Sequence, residues 1–292
     1  NKAAKAVIPS LKVENVDFDV TSLPQKSTMY ARDGSTVIAT FYNQNRIVVP
    51  LKKISKTMQQ AVVAREDRRF WTHAGVDVQG VMRAFVQTYL VKGSQQGGSS
   101  LTQQYVKNVL LMQAIEDDDS IAQYHATEDT IARKIREMLI SVQMEKKYSK
   151  AEILQGYLNI AQFGNNLYGV ETAAQRYFSV SAADLNVVQS ATIAAITKNP
   201  SLYDPLVEEN QKESENQRNI VLKLMLQEGY ITQDQYTEAV NTPLKDTLKV
   251  QDVNVGCQDT GDYAYFCDFV VHRIQNSEEF GKTRARSEEH TS

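Results

Sequence analysis

Helical spacing of apolar residues extends over most of this chain, from about Ile54 to Val240. One stretch repeats apolar side chains every three or four residues, the period of a single helix face, at Ile131, Ile135, Met138, Leu139 and Val142. Ser149 and Glu152 form a capping-box pattern ahead of the next such stretch. The sequence therefore predicts a mainly α-helical fold in which strands are a minor component.

Regions of different pattern flank this helical stretch. Asp33 and Gly34 suit the turn of a small N-terminal β-hairpin between residues 29–31 and 36–42. Residues 208–215 are charged and polar, which is typical of a linker, and the helical pattern gives way to short alternating stretches after Pro243. We therefore expect a helical domain followed by the start of another region.

Composition narrows the classes of function. Hydrophobic residues make up 42% of the 292 residues, enough for a substantial core. The net charge of −3 provides no overall attraction for nucleic acid. The sequence contains no run of about 18 apolar residues, the length that indicates a membrane-spanning helix.

The C-terminal part of the chain leaves two questions open. Cys257 and Cys267 lack the second pair that a zinc ribbon needs, and both a disulfide and two unpaired thiols fit the pattern. Residues 286–292 match a translated sequencing-adapter read, and a natural polar tail is the alternative.

Three polar clusters, at residues 66–75, 97–108 and 133–137, carry side chains that a helical core does not need. A glycine loop ahead of a helix presents backbone N–H groups to an anion. Carboxylates can move a proton, and cations can hold a departing anion. These clusters therefore predict transfer of a sugar from a phosphate leaving group. The candidate side chains are Glu66, Asp67, Ser99, Ser100, Thr102, Gln103, Gln104, Lys107, Asn108, Arg133, Lys134 and Glu137.

Each cluster also has an ordinary structural interpretation. Glu66 alone is typical of a carboxylate at a helix end. Arg133 and Glu137 alone are typical of a surface ion pair. A Gly-Gly-Ser sequence usually marks a linker, and His73 is expected to shape its turn rather than to take part in chemistry. The presence of all three clusters together favours the chemical interpretation.

The clusters resemble motifs of the family-51 glycosyltransferases, the peptidoglycan polymerase module of class A penicillin-binding proteins. The family pattern reads E-D-x-x-F-x-x-H-x-G, then G-G-S-T-x-T-Q-Q-x-x-K-N, then R-K-x-x-E, then K-x-x-I-L-x-x-Y-L-N. All four motifs occur in this order, the last at residues 150–159, and the resemblance runs from about residue 27 to residue 280. Ser100 replaces the usual Thr and keeps its hydroxyl, whereas Gln155 replaces a Glu found in many members.

The resemblance implies a lysozyme-like, two-lobed glycosyltransferase domain at residues 27–206, after a membrane-proximal lead-in at residues 1–26. It also implies a linker and the start of a truncated transpeptidase region at residues 207–285, without the transpeptidase Ser-x-x-Lys nucleophile. Family members carry a transmembrane anchor ahead of this domain. We therefore expect an anchor lost from this chain and a location on the extracytoplasmic face of a bacterial membrane.

The same resemblance implies a reaction and its residues. Glu66 is expected to be the general base, Glu137 the second essential carboxylate, and Lys198 a further cation at the phosphates. The implied substrates are lipid II and a growing glycan strand, with inversion at the muramyl C1 and release of undecaprenyl pyrophosphate. Other cell-wall synthesis proteins are expected partners and nucleic acid is not. A requirement for Mg²⁺ or Mn²⁺ stays open.

Two other functions are compatible with parts of this pattern. A lysozyme-like, glycan-cleaving enzyme also pairs carboxylates in a helical cleft, but its leaving group is a sugar oxygen and needs no cluster of cations. A non-catalytic scaffold module of a cell-wall complex would be favoured by the loss of Glu66 or Glu137, and both are present.

Overall fold

The computed structural model describes residues 18, 27–41, 45–80, 98–164, 166–251, 257 and 263–277. Within these ranges the chain is mainly α-helical, as expected. The helices are α1 (Lys56–Glu66), α2 (Leu101–Glu116), α3 (Ser120–Thr127), α4 (Ile131–Lys147), α5 (Lys150–Ile160), α6 (Val170–Phe178), α7 (Val187–Ile196), α8 (Gln211–Gln227), α9 (Gln233–Asn241), α10 (Leu244–Thr247) and α11 (Ala264–Gln275).

Side-chain caps determine where most of these helices begin. A side-chain oxygen ahead of the first turn accepts a backbone N–H that has no partner within the helix. The predicted capping box of Ser149 and Glu152 is confirmed at the start of α5. The capping residues of the other helices are Ser55, Ser100, Asp119, Thr130, Asn186 and Thr232.

The strands are short and form two small sheets. They are β1 (Ser27–Tyr30), β2 (Val37–Phe41), β3 (Asn45–Arg46), β4 (Gln162–Gly164) and β5 (Leu167–Tyr168). β1 and β2 pair antiparallel, which confirms the predicted hairpin. Asp33 holds its turn by accepting the backbone N–H groups of Ser35 and Thr36, each at 2.9 Å. β5 lies between β3, which runs parallel to it, and the antiparallel β4.

A single large apolar core connects the helices that carry the polar clusters. α7 packs against both α1 and α8, and α2 packs against α4 and α5. α7 can occupy this central position because its residues from Ser190 to Ile196 are all buried. Met58 of α1 and Leu101 of α2 are fully buried in the same core. The core therefore fixes α1, α2 and α7 relative to one another.

One expectation about residues 208–215 needs correction. The linker predicted there is instead a 3-10 turn, Glu208–Asn210, followed by the start of α8. Its polar composition reflects one exposed face, because α8 also buries Ser214, Gln217 and Arg218 against the core. Within the predicted helical stretch, a 3-10 turn at Ala182–Asp184 precedes α7. A truncated transpeptidase start within residues 207–285 stays a prediction.

The C-terminal part of the described chain contacts the N-terminal hairpin. Cys257 and Cys267 form a disulfide, which answers the question that the sequence left open. Cys267 packs in a small cluster with Ile38 and Ala39 of β2. Among the described residues no helix has the length and apolar character needed to cross a membrane. Most of the lead-in at residues 1–26 and the whole tail at residues 286–292 lie outside the described residues.

Candidate active site

Glu66 is the last residue of α1, and donors from two other parts of the fold hold its half-buried carboxylate. Gln104 Nε2 in the first turns of α2 donates to Glu66 Oε2 at 2.9 Å. Thr197 Oγ1, directly after α7, donates to Glu66 Oε1 at 2.7 Å. Each carboxylate oxygen has more than one acceptor site, so these two bonds leave room for a substrate hydroxyl.

Tyr157 of α5 supports this arrangement from inside the core. Its hydroxyl donates to Gln104 Oε1 at 3.3 Å, so the amide NH₂ of Gln104 is left to face Glu66. Burial raises the pKa of Tyr157 well above its ordinary value, and the charge of Glu66 adds to the rise, whereas a hydrogen bond with Thr197 opposes it. Tyr157 therefore stays protonated and remains a hydrogen-bond donor.

Glu137, the second predicted carboxylate, lies on α4 and is only 2% exposed. Arg133, one turn earlier, forms a close ion pair with Glu137 Oε1. Lys134 Nζ lies 3.8 Å from Glu137 Oε2 and donates to Ser99 Oγ at 3.0 Å. The second and third clusters of the sequence therefore meet at this carboxylate.

Lys107 of α2 belongs to the same group. Desolvation lowers the pKa of Lys107, the positive charges of Arg133 and Lys134 lower it further, and Glu137 acts in the opposite direction. Cations therefore outnumber the single carboxylate here, which favours an anionic ligand. Lys107 follows Gln104 by three residues on α2, so the two side chains lie on one helix face. That face connects the surroundings of Glu66 with those of Glu137.

Buried polar residues fix the N-terminus of α2 beside Glu66. Asp67 Oδ2 accepts the backbone N–H of Leu101 at 2.9 Å and contacts His73 Nε2 at 2.8 Å. Lys150, a donor only, lies 3.4 Å from His73 Nδ1. This geometry fits the His73 tautomer that carries its proton on Nε2 and donates to Asp67. His73 therefore has the structural role that the sequence predicted for it.

Ser100 ties the same helix end to the turn that follows Glu66. It accepts the N–H of Gln103 at 3.2 Å and donates to the carbonyl of Gly75 at 2.6 Å. Gly75 has φ of +88°, and a Cβ there would lie 2.6 Å from the carbonyl oxygen of Ser141 on α4. The glycine of the first motif is therefore required for the close approach of this turn to α4.

Side chains of the fourth motif, residues 150–159, hold the elements around the site rather than bonding to its two carboxylates. Lys150 Nζ lies 2.8 Å from Glu145 and 4.5 Å from the centre of the Phe70 ring. Thr102 donates its hydroxyl to the same Glu145 carboxylate. The side chain of Gln155 accepts the N–H of Leu51 at 2.8 Å.

Comparisons with known proteins identify the family of this chain. Residues 34–226 match the Transglycosylase family. This chain belongs to the transglycosylase family. The described residues are mainly α-helical, as the resemblance to the family implied.

Two curated relatives illustrate the extent of the match. Penicillin-binding protein 1A of Aquifex aeolicus (strain VF5) is 39% identical over 221 residues, which cover 76% of this chain and 28% of that protein. Penicillin-binding protein 4 of Bacillus subtilis (strain 168) is 37% identical over 272 residues, which cover 92% of this chain and 40% of that protein. The chain thus spans less than half the length of either relative.

The transglycosylase fold separates the predicted site residues into groups. Those brought together around the two carboxylates are Glu66, Ser99, Gln104, Lys107, Arg133, Lys134 and Glu137. Those buried in support of the α2 N-terminus are Asp67, Ser100, Thr102 and Gln103. Asn108 is half-buried beside Lys107. Lys198 is exposed, and its charge contributes to the lowered pKa of Glu213, after the larger effects of Gln217 and Asn216.

Sequence reasoning missed Thr197 and Tyr157 as neighbours of Glu66. Tyr157 is the aromatic residue of the fourth motif, so its position in the sequence offered a signal. Thr197 offered none, because a single hydroxyl 131 residues from its partner has no local signature.

Across the ranges that the structure describes, no three His, Cys, Asp or Glu side chains are grouped closely enough to hold a metal ion. Glu66 and Glu137 are held by hydrogen-bond donors and cations, a set that does not fit a divalent metal site.

Proposed function

We propose that this transglycosylase domain polymerises lipid II into β-1,4-linked glycan strands and releases undecaprenyl pyrophosphate. The observation that carries the proposal is the pairing of two unlike sites along one face of α2. One is a carboxylate held by uncharged donors, Glu66, and the other is a group of cations around Glu137. Sugar transfer from a pyrophosphate requires both a base and an anion site.

Glu66 acts as the general base in this mechanism. Its carboxylate takes the proton from the 4-hydroxyl of the N-acetylglucosamine of lipid II. The oxygen attacks C1 of the muramyl sugar at the end of the growing strand from the face opposite the leaving group, so the anomeric centre inverts. Gln104 and Thr197 fix the orientation of the base, since each of them holds one carboxylate oxygen.

The cations stabilise the departing pyrophosphate. Lys107, Arg133 and Lys134 supply charge at the place where the bond to C1 breaks, and Lys198 is a further cation that can contact the same phosphates. Desolvation of Lys107 strengthens its attraction for an anion, because charges interact more strongly where water is scarce. Glu137 keeps Arg133 and Lys134 in place.

The remaining predicted residues have two roles in the proposal. Ser99, Gln104 and Asn108 contact the substrates. Asp67, Ser100, Thr102 and Gln103 act on the substrates indirectly, because they are buried and hold the start of α2. A metal ion has no step in this mechanism.

The domain works at the extracytoplasmic surface of the bacterial membrane, where the lipid substrate lies. An exposed apolar face supports this part of the proposal. Ile131, Ile135 and Leu139 lie four residues apart along α4 and are exposed, Ile131 to 80%, and Ile121 and Tyr124 are exposed on α3. Such a patch on a folded domain marks a surface that contacts a lipid or a protein partner. Other cell-wall synthesis proteins are the protein partners that we propose.

The test is to incubate the chain with labelled lipid II in detergent and to separate the products by size. Polymer is expected with the parent chain and not with Glu66→Gln. Cleavage of finished glycan without consumption of lipid II would instead assign the chain to the glycan-cleaving enzymes. Absence of both activities would leave the scaffold interpretation and overturn the proposal.

A further inference from the structure

Four side chains from four different parts of the fold form a hydrogen-bonded chain at the base. Glu66 ends α1, Gln104 lies on α2, Tyr157 on α5, and Thr197 follows α7. Gln104 and Thr197 each donate to one oxygen of Glu66, and Tyr157 donates to Gln104.

Thr197 differs from the other members because two acceptors compete for its proton. Its Oγ1 lies 2.7 Å from Glu66 Oε1 and 2.8 Å from the carbonyl oxygen of Ala194. A hydroxyl carries one proton and two lone pairs. The hydroxyl can therefore donate to only one of these oxygens at a time. Its lone pairs can accept a hydrogen bond from the other oxygen when that oxygen carries a proton.

We infer that Thr197 is a positioning residue whose hydroxyl reverses its hydrogen bond to Glu66 when the base takes up a proton. With Glu66 ionised, Thr197 donates to the carboxylate. With Glu66 protonated, the new O–H donates to Thr197 Oγ1, and Thr197 turns its own proton to the Ala194 carbonyl. No proton leaves Thr197 in this exchange, and Glu66 keeps a partner on Oε1 in both states.

The inference rests on the proposed role of Glu66 as a base, and it extends that role. A proton that settles on the Oε1 site facing Thr197 would break that bond if Thr197 were a permanent donor, since a donor cannot accept from the same atom. Gln104 is such a donor, because the Tyr157 hydroxyl fixes the orientation of its amide. Thr197 removes this cost at the other oxygen. It therefore makes the position of the base independent of its protonation state.

Other ionisable groups near this hydrogen-bonded chain come from each element packed around it. Tyr157 of α5 interacts electrostatically with Glu66. Lys107 lies three residues beyond Gln104 on α2 and is directed to the Glu137 group. Arg65 of α1 donates to Gln217 of α8 at 2.9 Å, and Lys198 is exposed on the side of Glu213. None of these named groups can replace a hydroxyl that both donates and accepts at Glu66 Oε1.

The first test compares Thr197→Val, which keeps the shape without the hydroxyl, with Thr197→Ser, which keeps the hydroxyl. Thr192→Val is the matched control, because buried Thr192 on the same helix donates only to the Val188 carbonyl, at 2.9 Å. We expect Thr197→Val to lower kcat for lipid II about tenfold with little change in KM, as for loss of one hydrogen bond to a charged group. Thr197→Ser and Thr192→Val should stay within about threefold of the parent.

A purely structural role at the end of α7 predicts a different pattern. Loss of the bond to Ala194 alone would lower the melting temperature of Thr197→Val and Thr192→Val to a similar extent and would leave kcat unchanged in both. If Thr197→Val does not fold, Thr197→Ala provides the same comparison with a smaller side chain. Equal kcat in the parent and in the folded hydroxyl-free variant would contradict the inference.

The second test does not depend on activity. Carbon-13 NMR of labelled glutamate carboxyls follows the titration of Glu66, which is assigned by its disappearance in Glu66→Gln. Because Thr197 bonds to both protonation states of Glu66, Thr197→Val should move the Glu66 titration midpoint to higher pH by less than Gln104→Leu, which removes a one-way donor, and Thr192→Val should leave the midpoint unchanged. A shift in Thr197→Val as large as that in Gln104→Leu would refute the reversal. If the parent makes no polymer, the proposed function fails, whereas this titration still decides whether Thr197 holds Glu66.

Discussion

At the scale of single residues, Glu66 and a surface carboxylate differ only in their surroundings. Glu66→Gln removes the base and keeps the shape of the side chain. We expect polymerisation to fall by about 10²–10⁴-fold, the usual contribution of a general base, with an unchanged melting temperature. Glu208→Gln, at an exposed carboxylate on a 3-10 turn, is the control and should keep full activity. Activity of Glu66→Gln within about twofold of the parent would exclude Glu66 as the base.

Lys134 tests the anion site independently of the base. Its ammonium group lies between Ser99 and Glu137, and Lys134→Ala removes one cation from the group around the buried carboxylate. We expect weaker binding of phosphate-bearing inhibitors such as moenomycin, together with slower turnover. Added salt should reproduce part of this loss in the parent, because the Lys134 side chain is 40% exposed and screening weakens exposed charges first.

Lys146→Ala is the matched control for Lys134, since Lys146 lies on the same helix and is exposed. Inhibitor affinity should be the same in this variant and in the parent. Equal affinity in Lys134→Ala would remove Lys134 from the phosphate site. It would also weaken the argument for a polymerase over a glycan-cleaving enzyme.

At the scale of elements, two glycines with positive φ allow the cost of backbone strain to be measured apart from the cost of crowding. Gly34 has φ of +70° with open space around it, whereas Gly75 has φ of +88° and backbone atoms of α4 where a Cβ would lie. Gly34→Ala should cost about 1 kcal/mol of the free energy of unfolding. Gly75→Ala should cost more, about 3 kcal/mol, because the turn must also move away from α4. Chemical denaturation of both variants measures the difference, and equal losses would contradict the predicted crowding.

The local sequence was sufficient to predict elements that are stabilised by contacts between residues close together in the chain. The capping box at Ser149 and the turn at Asp33 depend on side chains within three residues of the backbone groups that they bind. The apolar period of α4 was equally local, but period alone does not say which side of a helix faces the core. Ile131 and Ile135 share that period and are exposed. The side of a helix that is buried depends on its neighbours, which the pattern does not contain.

The candidate site was predictable only as a set of residue types. The motifs identified Glu66, Lys107 and Glu137, whereas their division between a base and a cation group depends on how α1, α2 and α4 pack. Thr102 shows the limit, because it lies within a motif and yet donates to the supporting Glu145. Membership of a motif therefore marked candidate residues, without separating those at the carboxylates from those that hold the helix.

At the scale of the whole molecule, α4 connects the proposed active site to the proposed membrane-facing surface. The helix buries Arg133 and Glu137, leaves Lys134 partly exposed, and exposes Ile131, Ile135 and Leu139. The charged residues would hold the pyrophosphate of a lipid whose tail remains in the bilayer. An apolar side chain that enters a bilayer contributes binding free energy in proportion to its buried area.

Ile135→Glu combined with Leu139→Glu should therefore separate membrane binding from chemistry. We expect weaker sedimentation with phospholipid vesicles and slower polymerisation of lipid II in those vesicles. Polymerisation in detergent and the melting temperature should change little, because both side chains are already 43% exposed in the folded chain. Ile220→Glu is the control, since Ile220 is exposed to the same extent on α8. If the double variant binds vesicles as tightly as Ile220→Glu does, α3 and α4 do not form the membrane-facing surface, and the lipid must reach the cations around Glu137 from another side.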